Sequence, residues 1–322
     1  MQKISLAIHG GAGTILKKDM TPSLEQAYMQ GLEDALATGY AVLEKGGSAI
    51  EAVKAAVVSL EDNILFNAGK GSVFTKDGTH EMDAAIMEGK QLGAGAVAGV
   101  CNIRNPIKLA LAVMQHSEHV LLSGKGANEF AVKQGLSIET DDYFFSPFRY
   151  DQWQQMKDGD DFSLDHKAAG NNTTEKKFGT VGAVACDAQG NIAAATSTGG
   201  MTNKNYGRIG DSALIGAGTY ANDKTCAISC TGHGEPFIKA VAAYDVSCLI
   251  EYQDMSLHQA MNEVVNNKLP RIDGEGGMIG VDTAGNIAML FNSAGMYRGA
   301  KSSDGSSFVG IYRDEQPENI IG

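Results

Sequence analysis

The sequence predicts an α/β fold whose strands are covered by helices on both faces, and three observations lead to this prediction. Two hairpin-like stretches, residues 183–200 and 278–295, share an aspartate, a glycine, an asparagine and an isoleucine at matching positions around their turns. The apolar runs beside these turns are too continuous for strands with one face in water. Segments with helical spacing of apolar residues lie before and after the hairpins. A four-layer sandwich of helix, sheet, sheet and helix fits this pattern, as do other α/β arrangements.

The N-terminal half begins with a strand and continues with a long helix. The apolar run ISLAI at residues 4–8 predicts a buried strand that leads into HGGAG. Thr21 and Pro22 predict the start of the helix, because threonine is a good cap and proline at the first turn lacks an N–H that would have no partner there. The helix is predicted to end near Gly46-Gly47.

Two further helices are predicted before the middle of the chain. Ser48 and Glu51 indicate a capping box at the start of the second helix. The buried stripe of that helix, at helical spacing, consists of Ile50, Val53, Val57 and Leu60. A third helix is predicted to start at Asn105-Pro106, where a proline again follows a capping residue.

Residues 151–178 differ from everything around them. They carry few aliphatic side chains, many charges and turn-forming residues, and no hydrophobic period. We expect a flexible, exposed linker, longer than most connections in compact domains. After it the pattern predicts the first hairpin, strands within 212–221 and 226–232, helices at about 235–253 and 256–268, and then the second hairpin.

Composition narrows the class of protein. At 322 residues the chain can form one large α/β domain or two small ones. Its net charge of −12 argues against nucleic acids and anionic membranes as partners. The apolar run near the N-terminus is too short for a secretory signal, so we expect none, and no apolar run approaches the roughly 18 residues of a membrane span. With five cysteines in apolar surroundings, we expect reduced thiols and a cytoplasmic location.

Common catalytic signatures are absent from the chain, which has no G-x-x-x-x-G-K-[ST], no G-x-S-x-G and no H-E-x-x-H. What stands out is the abrupt start of a small-residue strand at Gly179-Thr180, directly after the polar linker. If that peptide bond were cut, the freed α-amino group of Thr180, with an ordinary pKa of about 7.7–8.0, would lie beside the hydroxyl as its base. The residues alone leave open whether Thr180 is a nucleophile or a packing residue.

A set of motifs along nearly the whole chain, from residue 4 to about 313, resembles one known family. The motifs, in order, are HGGAG, LFNAGKGSVFT, HEMDAAIMEG, GAVAGV, GTVGAVACD, TSTGGMTNK, GRIGDS and CTGHGE. The sequence is similar to the plant-type (type III) L-asparaginases, also called isoaspartyl peptidases, of the N-terminal-nucleophile hydrolase superfamily. Within that family it resembles the bacterial isoaspartyl peptidases. The resemblance implies one αββα domain, residues 1–322.

The resemblance also implies how the chain matures. The precursor would cut itself between Gly179 and Thr180, giving an α subunit of residues 1–179 and a β subunit of residues 180–322. Thr180 would then be the nucleophile and, through its amine, the base. His9, Gly10 and Gly11 match a glycine loop that lies behind the bond during self-cleavage. The catalytic residues implied by the resemblance are Thr180, Thr198, Thr231, Gly232 and Asn67.

Each of these residues has an expected task. Thr198 matches the threonine that orients the nucleophile's hydroxyl, and Asn67 matches a residue that reaches toward it. Thr231, through its hydroxyl, and Gly232, through its N–H, match an oxyanion hole, which stabilises the charge that develops during attack.

Substrate recognition is implied by two neighbouring motifs. Arg208 matches a clamp for the substrate's α-carboxylate, since a planar guanidinium fits a planar anion. Asp211 matches the partner of its α-ammonium, and His233 and Gly234 border the pocket through their backbone. The full set of substrate-binding residues implied is Arg208, Ile209, Gly210, Asp211, Thr231, Gly232, His233 and Gly234.

The resemblance implies no catalytic cofactor but a structural sodium ion held by main-chain carbonyls. The matching positions are Leu60, Glu61, Asn63, Phe66, Ala68 and Lys70. The expected activity is hydrolysis of β-aspartyl dipeptides and of L-asparagine, in a dimer of αβ units, (αβ)2. A glycosylasparaginase, or an uncleaved homologue without enzymatic activity, is the alternative.

Overall fold

Two β-sheets and the helices on their outer faces make up the fold. A computed structural model of the chain describes residues 2–157 and 179–315. The larger sheet has eight strands, in the spatial order β12 (Ser307–Tyr312), β11 (Gly295–Ser302), β1 (Ser5–Gly13), β5 (Thr180–Cys186), β6 (Ile192–Thr198), β2 (Met82–Glu88), β3 (Ala94–Val100) and β4 (Leu121–Ser123). The smaller sheet has the order β10 (Ile287–Phe291), β9 (Gly276–Asp282), β8 (Cys226–Gly232) and β7 (Thr219–Ala221). These elements confirm the predicted mixed α/β class.

The helices fall into two groups according to the sheet that they cover. The described α-helices are α1 (Pro22–Glu44), α2 (Ala49–Glu61), α3 (Pro106–His116), α4 (Gly124–Lys133), α5 (Asp141–Phe144), α6 (Pro147–Met156), α7 (Gly234–Ala240), α8 (Ala242–Gln253) and α9 (Leu257–Asn262). Helices α1, α2 and α3 pack against the larger sheet, whereas α8 and α9 pack against the smaller one. Strands β1, β5 and β6 of the larger sheet contact β8 and β9 of the smaller sheet. Among the described helices, none is long and apolar enough to cross a lipid bilayer.

The two related hairpins lie in different sheets and use the same turn. β5 and β6 form the first hairpin, and β9 and β10 form the second. In the first, Asp187 Oδ1 accepts the Asn191 N–H at 3.0 Å; in the second, Asp282 Oδ1 accepts the Asn286 N–H at 2.9 Å. The repeated residues therefore mark a turn in which an aspartate caps the backbone.

The start of α2 corrects one prediction. Ser48 precedes the helix but makes no side-chain cap, so the capping box with Glu51 is wrong. Instead, the first N–H of the helix, that of Ala49, donates to Asp187 Oδ2 at 3.2 Å. A carboxylate from a distant turn thus satisfies one of the free N–H groups at the start of the helix, although not the Glu51 N–H that the capping box would have used. The predicted cap of α1 is confirmed, since Thr21 Oγ1 accepts the Leu24 N–H.

The predicted linker starts too early. Residues 151–156 belong to α6, which is held by the stack of Trp153 on Phe74, with ring centroids 5.6 Å apart, and by the buried Arg149. An aromatic cluster can order a helix without a clear hydrophobic period. The rest of the predicted linker, residues 158–178, lies outside the described residues.

Other boundaries also move. Strand β1 does not end before HGGAG but continues through Gly13, with a bulge between His9 and Gly11, because it pairs with β11 along this length. The helix predicted at 235–253 is interrupted at Val241, whose positive φ of 50° separates α7 from α8. In the predicted strand 212–221 only the last three residues are extended as β7.

Candidate active site

The predicted nucleophile begins a strand in the middle of the eight-stranded sheet. Thr180 is the first residue of β5 and pairs with Thr198, the last residue of β6. Thr180 is buried, and its hydroxyl donates to Thr198 Oγ1 at 3.2 Å. Thr198 Oγ1 in turn donates to the Gly179 carbonyl at 3.2 Å and accepts the Gly200 N–H at 3.0 Å. One hydroxyl therefore contacts both the Thr180 side chain and the carbonyl of the peptide bond before it.

Asn67 packs directly beside Gly179. A Cβ placed on Gly179 would lie 2.4 Å from Asn67 Cβ, so the position accepts only glycine without a shift of its neighbours. The amide of Asn67 donates to the Gly200 carbonyl at 2.7 Å and accepts the Val73 N–H at 3.0 Å. The structure thus brings Asn67 to the predicted cleavage point, and its polar atoms hold the two neighbouring loops.

Thr231 and Gly232 end strand β8 and are held by backbone on both sides. Thr231 is fully buried, and its Oγ1 accepts the Ala12 N–H at 3.1 Å, which leaves the hydroxyl hydrogen for a second partner. Gly232 has a φ of 150°, and a Cβ there would lie 2.4 Å from the Glu275 carbonyl. Donors fixed in this way before a ligand arrives suit a developing negative charge.

Arg208 is held in one orientation by a residue that the sequence prediction did not include. Glu235 accepts from Arg208 Nε at 2.9 Å and from Nη2 at 2.9 Å, in a two-pronged ion pair. His233 Nε2 lies 2.8 Å from the same carboxylate. The imidazole of His233 therefore contacts the Arg208–Glu235 ion pair, whereas the sequence predicted only a backbone role for this residue at the pocket. Burial alone would raise the pKa of Glu235, but the bonds from His233 and Arg208 lower it below its usual range. Among the described residues, Nη1, which lies beside Gly210, donates to no side chain or carbonyl, so it can bind another anion.

Asp211 is buried next to this cation. Asp211 is 3% exposed, and among the described residues its Oδ2 has no hydrogen-bond partner. Burial raises the pKa of its carboxyl to about 7, against the opposing effects of its own backbone N–H and of Arg208. A Cβ on Gly234 would lie 2.9 Å from Arg208 Nη2 and 3.0 Å from Asp211 Oδ1, so both charges face one glycine. Because an unpaired buried carboxylate is costly, this site suits a cationic ligand.

The remaining predicted residue of this group lies at the edge. Ile209 is 39% exposed, between Arg208 and the glycine that follows it. A cavity of about 380 Å³ lies beside Arg208, and Arg208, Glu235, Lys204, Met201 and Tyr206 form most of its wall. Thr180 is not part of that wall, so the cavity extends the Arg208 side of the site.

A second pair of buried charges escaped the sequence prediction. Asp83 is fully buried on β2, opposite Thr198, and its Oδ1 accepts the Gly99 N–H at 2.8 Å. Lys204 is also buried, and its ammonium donates to the Glu81 carbonyl at 2.7 Å. Burial raises the pKa of Asp83 and lowers that of Lys204, and each charge opposes the shift of the other. The sequence signal that could have revealed this buried pair is an aspartate within an otherwise apolar strand.

The loop predicted to bind sodium follows the end of α2. The carbonyls of Asn63, Phe66 and Ala68 each accept one backbone N–H within the loop, which leaves a second lone pair on each oxygen. The Leu60 carbonyl accepts from two N–H groups and is the least suited of the set. Oxygen ligands of this kind fit a hard cation. Within residues 2–157 and 179–315, no group of three or more His, Cys, Asp and Glu residues could hold a metal ion.

The side chains of the loop point away from such a role. The Glu61 carboxyl is buried between the sheet and α3, where it accepts from Ser197 Oγ at 2.7 Å and from the Ile107 N–H at 2.9 Å. Burial raises its pKa to about 8, against the opposing bond from Ser197. The Lys70 ammonium lies 5.4 Å from the centroid of the Tyr143 ring. Ligation by this loop would therefore rest on carbonyl groups alone.

Comparison with known proteins identifies the family. The sequence model of the asparaginase family, Asparaginase_2, matches residues 1–311. The chain therefore belongs to the asparaginase family, as its motifs predicted.

Named relatives cover nearly the whole chain. An isoaspartyl peptidase of Salmonella typhimurium is 50% identical over 314 residues, which is 98% of this chain and 100% of the relative. An isoaspartyl peptidase of Escherichia coli is 48% identical over 315 residues, 98% of each chain. The isoaspartyl peptidase/L-asparaginase of Homo sapiens is 39% identical over 310 residues, 96% of each chain.

Proposed function

We propose that this chain is a threonine amidohydrolase that cleaves itself and then hydrolyses β-aspartyl dipeptides and L-asparagine. The observation that carries the proposal is the contact of one hydroxyl, Thr198 Oγ1, with both Thr180 Oγ1 and the Gly179 carbonyl. A hydroxyl nucleophile and the carbonyl that it would attack are thereby held by a shared neighbour. The names of the relatives support the choice of substrate.

Self-cleavage would proceed by attack of Thr180 Oγ on the Gly179 carbonyl carbon. The bond from that carbon to the Thr180 nitrogen breaks, the nitrogen takes up the hydroxyl proton, and an ester forms between Gly179 and Thr180. Water then hydrolyses the ester, which releases the Gly179 carboxylate and restores the Thr180 hydroxyl. Thr198, which donates to the Gly179 carbonyl, would stabilise the negative charge on that oxygen during attack.

Substrate hydrolysis would use the freed amine. Thr180 Oγ, having lost its proton to its own α-amino group, attacks the side-chain acyl carbon of an aspartyl group. The leaving amine takes that proton, and a β-aspartyl ester remains on Thr180. Water activated by the α-amino group then releases L-aspartate. The Thr231 hydroxyl and the Gly232 N–H would bind the oxyanion in both steps.

Recognition of the aspartyl group would rest on the two charges that face Gly234. Arg208 offers Nη1 and its remaining N–H groups to the α-carboxylate, and Glu235 prevents the guanidinium from turning. Asp211, whose Oδ2 lacks a partner among the described residues, offers its carboxylate to the α-ammonium. Together they would select a free α-amino acid end and leave its side-chain carbonyl for Thr180.

The alternatives differ in what they would cleave. A glycosylasparaginase would use the same nucleophile on a sugar-linked asparagine. An uncleaved homologue would lack activity altogether, although Thr180, Thr198 and Arg208 are all present. The cavity of about 380 Å³ beside Arg208 favours neither leaving group by its size alone.

Several further features belong to the same proposal. The packing of α1, α2, β1, β8 and the other elements described above supports a four-layer αββα sandwich of the N-terminal-nucleophile hydrolase type. Carbonyl groups of the loop at residues 60–70 support a structural sodium ion, and we propose a dimer of αβ units as the assembly. Five unpaired cysteines support a cytoplasmic location, where thiols stay reduced.

The test combines mass and activity. Denaturing mass spectrometry of the purified protein should give two chains, the second beginning Thr-Val-Gly-Ala-Val. Thr180→Ala should give one uncut chain without activity, whereas Thr38→Ala, on the exposed face of α1, should behave as the wild type. Cleavage in Thr180→Ala would refute the assignment. Faster hydrolysis of a GlcNAc-asparagine than of β-Asp-Leu would favour the glycosylasparaginase.

A further inference from the structure

His9 is a fully buried histidine in β1 that contacts the backbone of the proposed nucleophile. Its Nδ1 lies 2.9 Å from the Thr180 carbonyl oxygen, and its Nε2 lies 2.8 Å from Ser229 Oγ. The motif HGGAG drew attention to the glycines that follow it, and no role follows for the imidazole from the proposed reaction. Both ring nitrogens nevertheless form hydrogen bonds, Nδ1 to the larger sheet and Nε2 to the smaller sheet.

The chemistry of the two partners fixes the tautomer of His9. A carbonyl oxygen only accepts, so Nδ1 must carry the hydrogen. Burial lowers the pKa of the imidazole to about 3, against the opposing bond to Thr180, so the ring is neutral at working pH. A neutral ring has one hydrogen, and Nε2 therefore accepts from the Ser229 hydroxyl.

Behind Ser229, further buried hydroxyl groups form a row of hydrogen bonds in which each hydroxyl donates toward His9. Ser229 Oγ lies closer to His9 Nε2, at 2.8 Å, than to the Ala195 carbonyl oxygen, at 3.3 Å; with its hydrogen given to His9, it accepts from Thr196 Oγ1 at 2.7 Å. Thr196 Oγ1 accepts from Thr219 Oγ1 at 2.7 Å. All three hydroxyl-bearing residues are fully buried. The row ends beside the substrate-binding loop, since Thr219 Oγ1 lies 3.1 Å from the Ser212 carbonyl oxygen, which shares the one hydroxyl hydrogen of Thr219 with Thr196 Oγ1.

A glycine leaves room for this contact. Gly182 lies two residues after Thr180 on β5 and pairs with His9 across the sheet. A Cβ on Gly182 would lie 2.1 Å from Ser229 Oγ and 2.4 Å from His9 Nε2. A side chain at Gly182 would therefore displace the two groups that meet there. This is an independent sign that the packing of β5 accommodates the pair.

We propose that His9 is a positioning residue, fixed as the Nδ1–H tautomer, which holds the Thr180 main chain in register with the segment that carries Asp211. The proposal rests on the proposed function, in which Thr180 is the nucleophile and Asp211 binds substrate. His9 touches no reacting atom. It acts through the Thr180 carbonyl, whose orientation fixes the amine and the hydroxyl of the same residue.

Two amide variants separate this role from simple packing. In His9→Asn the side-chain amide can place an N–H near the position of Nδ1, and in His9→Gln near the position of Nε2. Both replace the ring by a smaller amide and leave a void beside Gly182. If the bond to Thr180 matters, His9→Asn should keep kcat for β-Asp-Leu within about 5-fold of the wild type. His9→Gln should lose about 30-fold or more, since small displacements of a nucleophile are costly.

The split between kcat and KM gives a second readout. KM should change little in either variant, because Arg208 and Asp211 remain in place. Gly182→Ala should resemble His9→Gln, because the added methyl group displaces Nε2 and Ser229 Oγ together. Equal loss of kcat in His9→Asn and His9→Gln, at equal thermal stability, would reduce His9 to a packing residue and overturn the proposal. A larger loss in His9→Asn would overturn it too.

Nitrogen NMR of the wild-type protein tests the tautomer without relying on activity. At pH 7 the buried imidazole of His9 should show a protonated Nδ1 and an unprotonated Nε2, assigned by loss of the signal in His9→Asn. A protonated Nε2 would overturn the proposal whatever the kinetics. If the wild type hydrolyses no β-aspartyl substrate but shows the Nδ1–H tautomer, the proposed function fails and the assigned tautomer stands.

Discussion

Replacement of Asp211 by asparagine should stabilise the protein at alkaline pH and at the same time remove substrate recognition. Asp211 is buried, and its Oδ2 has no partner among the described residues. Ionisation of this carboxyl without a ligand is therefore unfavourable, and burial raises its pKa to about 7. The side-chain amide of an asparagine does not ionise, so the variant Asp211→Asn carries no such cost at any pH.

The size and sign of the effect follow from proton linkage. The unfolded chain loses the Asp211 proton near 3.8, whereas the folded protein keeps it up to about 7. Between these values the unfolded state holds fewer protons, so the free energy of unfolding falls as pH rises and becomes level above about 7. From pH 5 to pH 8 the fall is about 3 kcal/mol, at about 1.4 kcal/mol per pKa unit. The variant should lack this fall.

The assay compares thermal midpoints at two pH values. At roughly 2 °C per kcal/mol for a chain of this length, Asp211→Asn should gain roughly 6 °C more at pH 8 than at pH 5, relative to the wild type. The exposed Asp254→Asn is the control and should show no such difference. The kcat/KM of the control Asp254→Asn should equal that of the wild type. The kcat/KM of Asp211→Asn should fall about 100-fold or more. Equal shifts of Asp211→Asn at both pH values would refute the reasoning.

Three further substitutions test separate parts of the structure. Glu235→Gln removes the charge that orients the Arg208 guanidinium, so substrate binding should weaken by about 1.4 kcal/mol. The KM for β-Asp-Leu should therefore rise about 10-fold. An unchanged KM would contradict this role of Glu235. Gly179→Ala places a Cβ 2.4 Å from Asn67 Cβ and should slow self-cleavage about 10-fold or more on time-resolved gels; cleavage at the wild-type rate would remove the steric argument. Trp153→Ala removes the ring stacked on Phe74 and should lower the free energy of unfolding by about 2 kcal/mol in urea; a change under about 0.5 kcal/mol would show that α6 is held by other contacts.

The order and class of the elements could be predicted from sequence because their signals are local. Thr21 and Pro22 mark a helix start by their own chemistry, and the structure confirms that start. The repeated turn of Asp187 and Asp282 is likewise a short-range pattern of side chain and backbone. Hydrophobic period and turn residues carry this information without reference to the rest of the chain.

Contacts between distant residues could not be predicted in the same way. The cap of α2 comes from Asp187, which lies 138 positions from the N–H that it accepts. The partner of Arg208 is Glu235, although both belong to motifs that the resemblance includes. Asp83 and Lys204 become neighbours only when β2 and the segment after β6 are placed together. A single sequence gives the residue types at such sites but not their pairing.

The order of strands in the larger sheet determines what a cut at residue 179 can release. β1 lies between β11 and β5, and β2 lies beside β6, so blocks of one to three strands from the two sides of the cut alternate. The two products would share three borders of backbone hydrogen bonds within one sheet. Dilution should not dissociate them, and exchange of halves between molecules would require unfolding. Separately produced halves would have to fold together, as a single chain does, because neither half contains all the strands of the sheet.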